Sequence, residues 1–182
     1  SIWRSPISYS DSHKFSAIHE ELRKIIEVTE GLCVSRRKPP GSSKPLPTSE
    51  DLEIALVPLL SERGFLHHKK FQHPRDDSLG FEYDFWHPID GIAMEIMGYR
   101  ADDEVYKDLL KFHVHAETAV GVLWVSRYKW ISNKQTDTNL KAARKAVAFA
   151  DTYMNVNFLE LLPYDWEETD EPGSWILRHV EA

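Results

Sequence analysis

A single cysteine, Cys33, among 182 residues excludes an internal disulfide and a cysteine-built zinc site. A reducing cytoplasm is the compartment this cysteine usage predicts. The sequence holds no apolar run of about 18 residues, so no membrane-spanning helix is expected. It shows no basic-then-apolar leader with a small-residue cleavage site, so secretion is not expected. Glycine is sparse, at 8 residues, and none of it forms a phosphate-cradling loop or a nucleophile elbow. Positive charge is also short: 22 Lys and Arg stand against 29 Asp and Glu, a formal net charge of -7. That balance argues against a uniformly basic nucleic-acid surface. The distribution of charge matters more than its sum, and here it is uneven.

What is present is a globular composition, 42% apolar and 12% aromatic. The whole chain, 1–182, reads as a single domain without repeats. Phe15, Ile18, Leu22, Ile25 and Ile26 recur at helical spacing and predict a helix over 11–30. Residues 35–48 hold four prolines and read as loop. A second helix is predicted over 49–63, capped by Thr48 with Asp51, kinked at Pro58 and ended by Gly64. A strand over 65–72 and a turn over 74–80 follow. Beyond them the pattern predicts a helix over 103–117, a buried strand over 119–126, a helix over 139–154, a strand over 157–162, an acidic loop over 165–171 and a short strand over 175–180. The step from 92 to 126 is long enough for a parallel crossover. The expected fold is therefore α/β, a mixed central sheet with helices on both faces.

Between these lies the most informative stretch. FEYDFWH (81–87) and IAMEIMG (92–98) flank a Pro/Asp/Gly loop at 88–91 and predict a hairpin. In that register His87 faces Ile92, Trp86 faces Ala93, Phe85 faces Met94 and Asp84 faces Glu95. Alternation then assigns Tyr83, Phe85, Ile92 and Met94 to a core face. Glu82, Asp84, Trp86, Ala93, Glu95 and Met97 fall on a polar face. Opposed carboxylates repel at roughly 5 Å between Cβ atoms. Such a face is either fully solvated or holds something positive between the acids. Mg2+ suits oxygen ligands and retains waters for a phosphate substrate.

The order helix, three-strand meander, helix, parallel strand resembles the core of the PD-(D/E)XK nucleases. Residues 93–127 are similar in more detail to the BglII/BamHI-type restriction endonucleases, through Glu95, Asp108-Leu109, Phe112, Val120-Gly121-Val122 and Arg127. The likeness covers about 49–127 as an order of elements and 84–127 in detail. It implies a restriction-endonuclease-like core and a Mg2+-dependent deoxyribonuclease, with Mn2+ as a substitute ion. Asp84 and Glu95 would be the metal carboxylates and the Ile96 carbonyl a further ligand. Glu53 would be an added acid from the preceding helix, although a surface Glu in an acidic first turn is the plainer account. Double-stranded DNA would be the partner, and a homodimer would match a palindromic site. The family's third catalytic position, usually Lys and in this group Gln or Glu, falls on Met97. A thioether carries no charge and binds hard cations poorly. Three accounts stand: a relative that no longer cleaves, a role moved to Lys107, Lys111 or Arg100, or a replaced residue in an otherwise active enzyme. The alternative function is a catalytically silent nuclease fold used in DNA binding or protein assembly.

Arg36, Arg37, Lys38 and Lys44 form an acid-free run open to DNA phosphates, with a solvated loop as the plainer reading. Of the nine histidines, His67 and His68 are adjacent and expected on opposite faces of a strand. His113 and His115 are two apart on a predicted helix. Neither pair has HExxH spacing, so zinc is not expected. Cys33 has no motif that would make it a nucleophile.

Overall fold

The computed structural model describes residues 9–36, 46–73, 75–131, 134–156 and 158–181. Four helices run through it: α1 (Tyr9–Thr29), α2 (Ser49–Glu62), α3 (Ala101–Val114) and α4 (Thr138–Tyr153). Among the strands are β1 (Cys33–Ser35), β2 (Leu66–His73), β3 (Asp76–His87), β4 (Ile92–Gly98), β5 (Val120–Ser126), β8 (Phe158–Glu168) and β9 (Ser174–His179). These seven make one mixed sheet in the order β1-β9-β8-β5-β4-β3-β2. β6 (Lys129–Ile131) and β7 (Lys134–Thr136) form a separate small hairpin. The α/β reading and the helices on both faces hold.

The hairpin forms in the expected register for Phe85 opposite Met94, Trp86 opposite Ala93 and His87 opposite Ile92, but the ladder stops short of the expected Asp84–Glu95 pair. Gly91 closes its loop at φ 66°, where any Cβ would lie 2.7 Å from the Glu117 carbonyl oxygen. β4 runs through α3 into β5, which lies parallel to it, and β5 is parallel in turn to β8. Strands with helices on both sides are buried on both sides. One core joins α1 and α2 to Phe85, Ile92, Met94, Val122 and Trp124. The other joins α3 and α4 to Tyr83, Trp86, Ala93, Met97 and Leu123.

That second core corrects the hairpin's expected polar face. Trp86, Ala93, Glu95 and Met97 are all buried, because the β4–α3–β5 crossover lays α3 over them. Alternation also breaks at Asp84: Phe85 faces α2, whereas Tyr83 and Trp86 both face α3. β3 and β4 pair through Phe85 and Met94, and β2 carries a matching irregularity at His68, φ 55°.

Other expectations shift as well. The expected turn at 74–80 is largely strand, since β3 begins at Asp76. The expected acidic loop begins in β8, where Glu167 accepts a 2.7 Å hydrogen bond from Arg178 Nε on β9. Pairing with a basic neighbour strand makes acids acceptable in β8. α2 is capped as expected: Asp51 N–H donates to Thr48 Oγ1 (3.1 Å) and Thr48 N–H to Asp51 Oδ2 (2.8 Å). It continues as helix through Pro58.

Gly121 explains part of the 93–127 pattern by packing. A Cβ there would collide with the Phe112 ring, so the glycine of the Val-Gly-Val strand lets α3 lie close. Gly121→Ala should cost about 1–3 kcal/mol in urea unfolding, because the collision is with a ring buried in the core. An unchanged midpoint would show that α3 yields freely. Asn139 fixes the other end of the crossover. Its amide donates to the Gly98 carbonyl at 2.8 Å and the Ser126 carbonyl at 2.6 Å, and its oxygen accepts from Ala101 N–H at 3.0 Å.

Candidate functional site

Asp84 sits where β3 leaves its pairing with β4, and its Oδ2 accepts the Ile96 N–H at 2.7 Å. The carboxylate thereby takes the place of a strand neighbour and is pinned beside Glu95. Glu95 is 3% exposed. Its Oε1 accepts from Lys111 Nζ at 2.5 Å, and the same ammonium donates to the Glu82 carbonyl at 2.9 Å. Asp108, one turn back on α3, places Oδ1 3.4 Å from Lys111 Nζ. Tyr83 steadies this end of α3: its hydroxyl donates to the Lys111 carbonyl at 3.3 Å and lies 2.9 Å from Thr118 Oγ1.

Among the sequence-derived candidates, Asp84, Glu95 and Lys111 come together. Lys107 is exposed and pairs with Glu104 at 3.4 Å. Arg100 is exposed and pairs with Asp103 and Glu104. Met97 is buried in the α3–α4 core, in a register break of β4 against β5. Arg36 follows β1, where its N–H donates to the Gly173 carbonyl at 2.9 Å. Arg37, Lys38 and Lys44 lie outside the described residues.

Burial pushes the Glu95 carboxyl well above the usual range, and Asp108 and Asp84 push it further, against Lys111. Burial, with Asp84 behind it, raises Asp108 to about 6, again against Lys111. Burial disfavours the Lys111 charge, yet Glu95, Asp108 and Asp84 outweigh it and hold the ammonium above its ordinary value. Three carboxylates share one ammonium, so full ionisation leaves two negative charges unbalanced. A divalent cation supplies that amount.

The chain matches no protein-family model, no curated protein and no solved structure. The functional reading therefore rests on the site's own chemistry.

In the sequence Asp108 stands out only as part of the family-like Asp108-Leu109 dipeptide. A further signal is its place on the apolar stripe of α3, between Val105 and Leu109, where a lone aspartate would not be stable. A second group joins α2 to β2. Glu53 of α2 meets both His67 and His68: His67 Nε2 stands 2.8 Å from its Oε1, and His68 Nε2 hydrogen-bonds to the same oxygen. The expectation that these histidines point to opposite faces fails, because the positive φ at His68 turns its ring back over His67, with centroids 3.8 Å apart. Glu82 links the two groups, its carbonyl accepting from Lys111 and its Oε1 lying 3.8 Å from His68 Nδ1. No helix among the described residues is long and apolar enough to cross a membrane.

Proposed function

We propose that the chain is a Mg2+-dependent endodeoxyribonuclease with a restriction-endonuclease-like core, whose lysine is supplied by α3 at Lys111 and not by β4 at position 97. The carrying observation is the convergence of Asp84, Glu95 and Lys111 at the point where β3 and β4 part. The helix–meander–helix–parallel strand order around it supports the same reading. Asp84 and Glu95 fit a hard divalent cation in donor type, and with Asp108 they carry more negative charge when ionised than Lys111 balances, with the Ile96 carbonyl as a further ligand. Such an ion, Mg2+ or Mn2+, supplies charge stabilisation at a phosphodiester and a water acidic enough to attack it. Lys111 holds Glu95, and its charge would help balance charge gathering on a bound phosphate. A cleft of about 470 Å³ lined by Arg127, Lys141 and Arg144 offers basic groups to duplex phosphates, beside Asp137 and Glu181. A homodimer on a palindromic site extends this proposal.

A second reading rests on the burial of the same groups. Glu95 and Asp108 are closed over and bonded or paired to Lys111, an arrangement that also suits a silent nuclease fold retained for DNA binding or protein assembly. Cleavage of mixed-sequence plasmid DNA in Mg2+ or Mn2+ separates the two. The enzyme reading expects cleavage that is lost in Asp84→Asn and Glu95→Gln. Intact plasmid with the parent protein in both metals removes it and leaves the silent one.

A further inference from the structure

We infer that Glu53, His67 and His68 form a binding site for a zinc-class transition-metal ion, separate from the Asp84–Glu95 group. Two imidazoles and one carboxylate are a borderline-soft donor set, suited to Zn2+ and its neighbours and poorly suited to Mg2+. Their three ligand atoms lie within 4.8 Å of one another. Ligands about 2.1 Å from a tetrahedral ion stand about 3.4 Å apart. Both ring nitrogens must open from hydrogen-bond contact with Glu53 Oε1 to reach that spacing, His67 Nε2 by well under 1 Å from its 2.8 Å and His68 Nε2 by more.

The chain departs from ordinary strand geometry to make this convergence. Regular alternation would put the neighbouring rings of His67 and His68 on opposite faces of β2. Left-handed φ at His68, 55°, is an unfavourable conformation for a residue with a Cβ, and it brings both rings to Glu53. His67 is further fixed by stacking on Phe85, centroids 5.1 Å apart. His68 turns Nε2 towards the site and Nδ1 towards the Glu82 carboxylate, 3.8 Å away. A metal would displace the proton that His68 Nε2 shares with Glu53, and the Glu82 carboxylate near Nδ1 favours the tautomer that carries it there. Glu53 is 15% exposed at its side chain and His68 50%, so the acid is held firmly while one side stays open to an entering ion and its waters.

The test is titration of chelator-stripped full chain with Zn2+ alone, against a chromophoric competitor at pH 7.5, with Mg2+ in large excess as a parallel titrant. One equivalent of Zn2+ should bind with micromolar or tighter affinity, unaffected by Mg2+. His67→Ala, His68→Gly and Glu53→Gln should each weaken it at least 100-fold. His68→Gly separates metal binding from folding, because glycine relieves the positive φ: its metal-free Tm should equal or exceed the parent's while Zn2+ binding is lost. Absence of Zn2+ binding by the parent overturns the site. So does binding that survives any one of the three substitutions undiminished, which would place the ion on other groups.

Discussion

Lys111→Ala should lower Mg2+-dependent cleavage by at least about 10²–10³-fold, while Lys107→Ala stays within about twofold of the parent. The two lysines share a helix and a charge and differ only in what they reach. Lys111 Nζ is bonded to Glu95 and the Glu82 carbonyl, whereas Lys107 pairs at the surface with Glu104. Removing one partner of a buried ion pair strands the others, so Lys111→Ala should also lose about 3 kcal/mol of stability. Lys111→Arg retains the charge and serves as the folding control. Its cleavage should exceed that of Lys111→Ala at equal folded fraction. Met97→Lys should not raise activity, because Met97 is packed among apolar side chains of α3 and α4 and the proposed mechanism takes its ammonium from Lys111. Strong gain from Met97→Lys, with Lys111→Ala harmless, would sink the assignment of Lys111.

The sequence made the hairpin legible because its register follows from a short loop and two alternating runs. The same alternation misled beyond Phe85. It carries no information about where a strand breaks step, and β3 breaks step at Asp84 and β2 at His68. His67 and His68 consequently read as a divided pair and fold as a converging one. The buried state of Glu95 was implicit in the expectation of helices on both faces, which leaves no wet face for the hairpin's second set of residues. Lys111 was one of three basic candidates. Helical spacing alone favours it, since it borders the Asp108–Phe112 stripe while Lys107 lies nearly opposite. The restriction-type identity of the core is a proposal, supported by element order and by the Asp84–Glu95–Lys111 group.

Metal-free protein should show a stability profile in which Asp108 works against folding at high pH. Burial and the nearby Asp84 raise its carboxyl to about 6 in the folded chain, above an unfolded value near 3.9. The folded state therefore holds this proton more tightly. The stabilisation is complete below about pH 4 and is lost as pH rises through about 6, by at most about 3 kcal/mol. Glu95 is shifted in the same direction. His115 and His179, whose burial lowers them, act in the opposite sense and lose stability as pH falls. The informative quantity is thus the difference between Asp108→Asn and the parent. Their Tm gap should widen in favour of Asp108→Asn from pH 5 to pH 8, since asparagine keeps the shape and drops one unbalanced charge. Mg2+ should raise the parent's Tm at pH 8 more than at pH 5, and raise Asp108→Asn less at pH 8. The first result tests the charge excess and the second tests whether a divalent cation relieves it. A gap that does not change with pH would mean that solvent or Lys111 already compensates Asp108. A widening gap with no response to Mg2+ would confirm the excess charge and count against the metal site at Asp84 and Glu95.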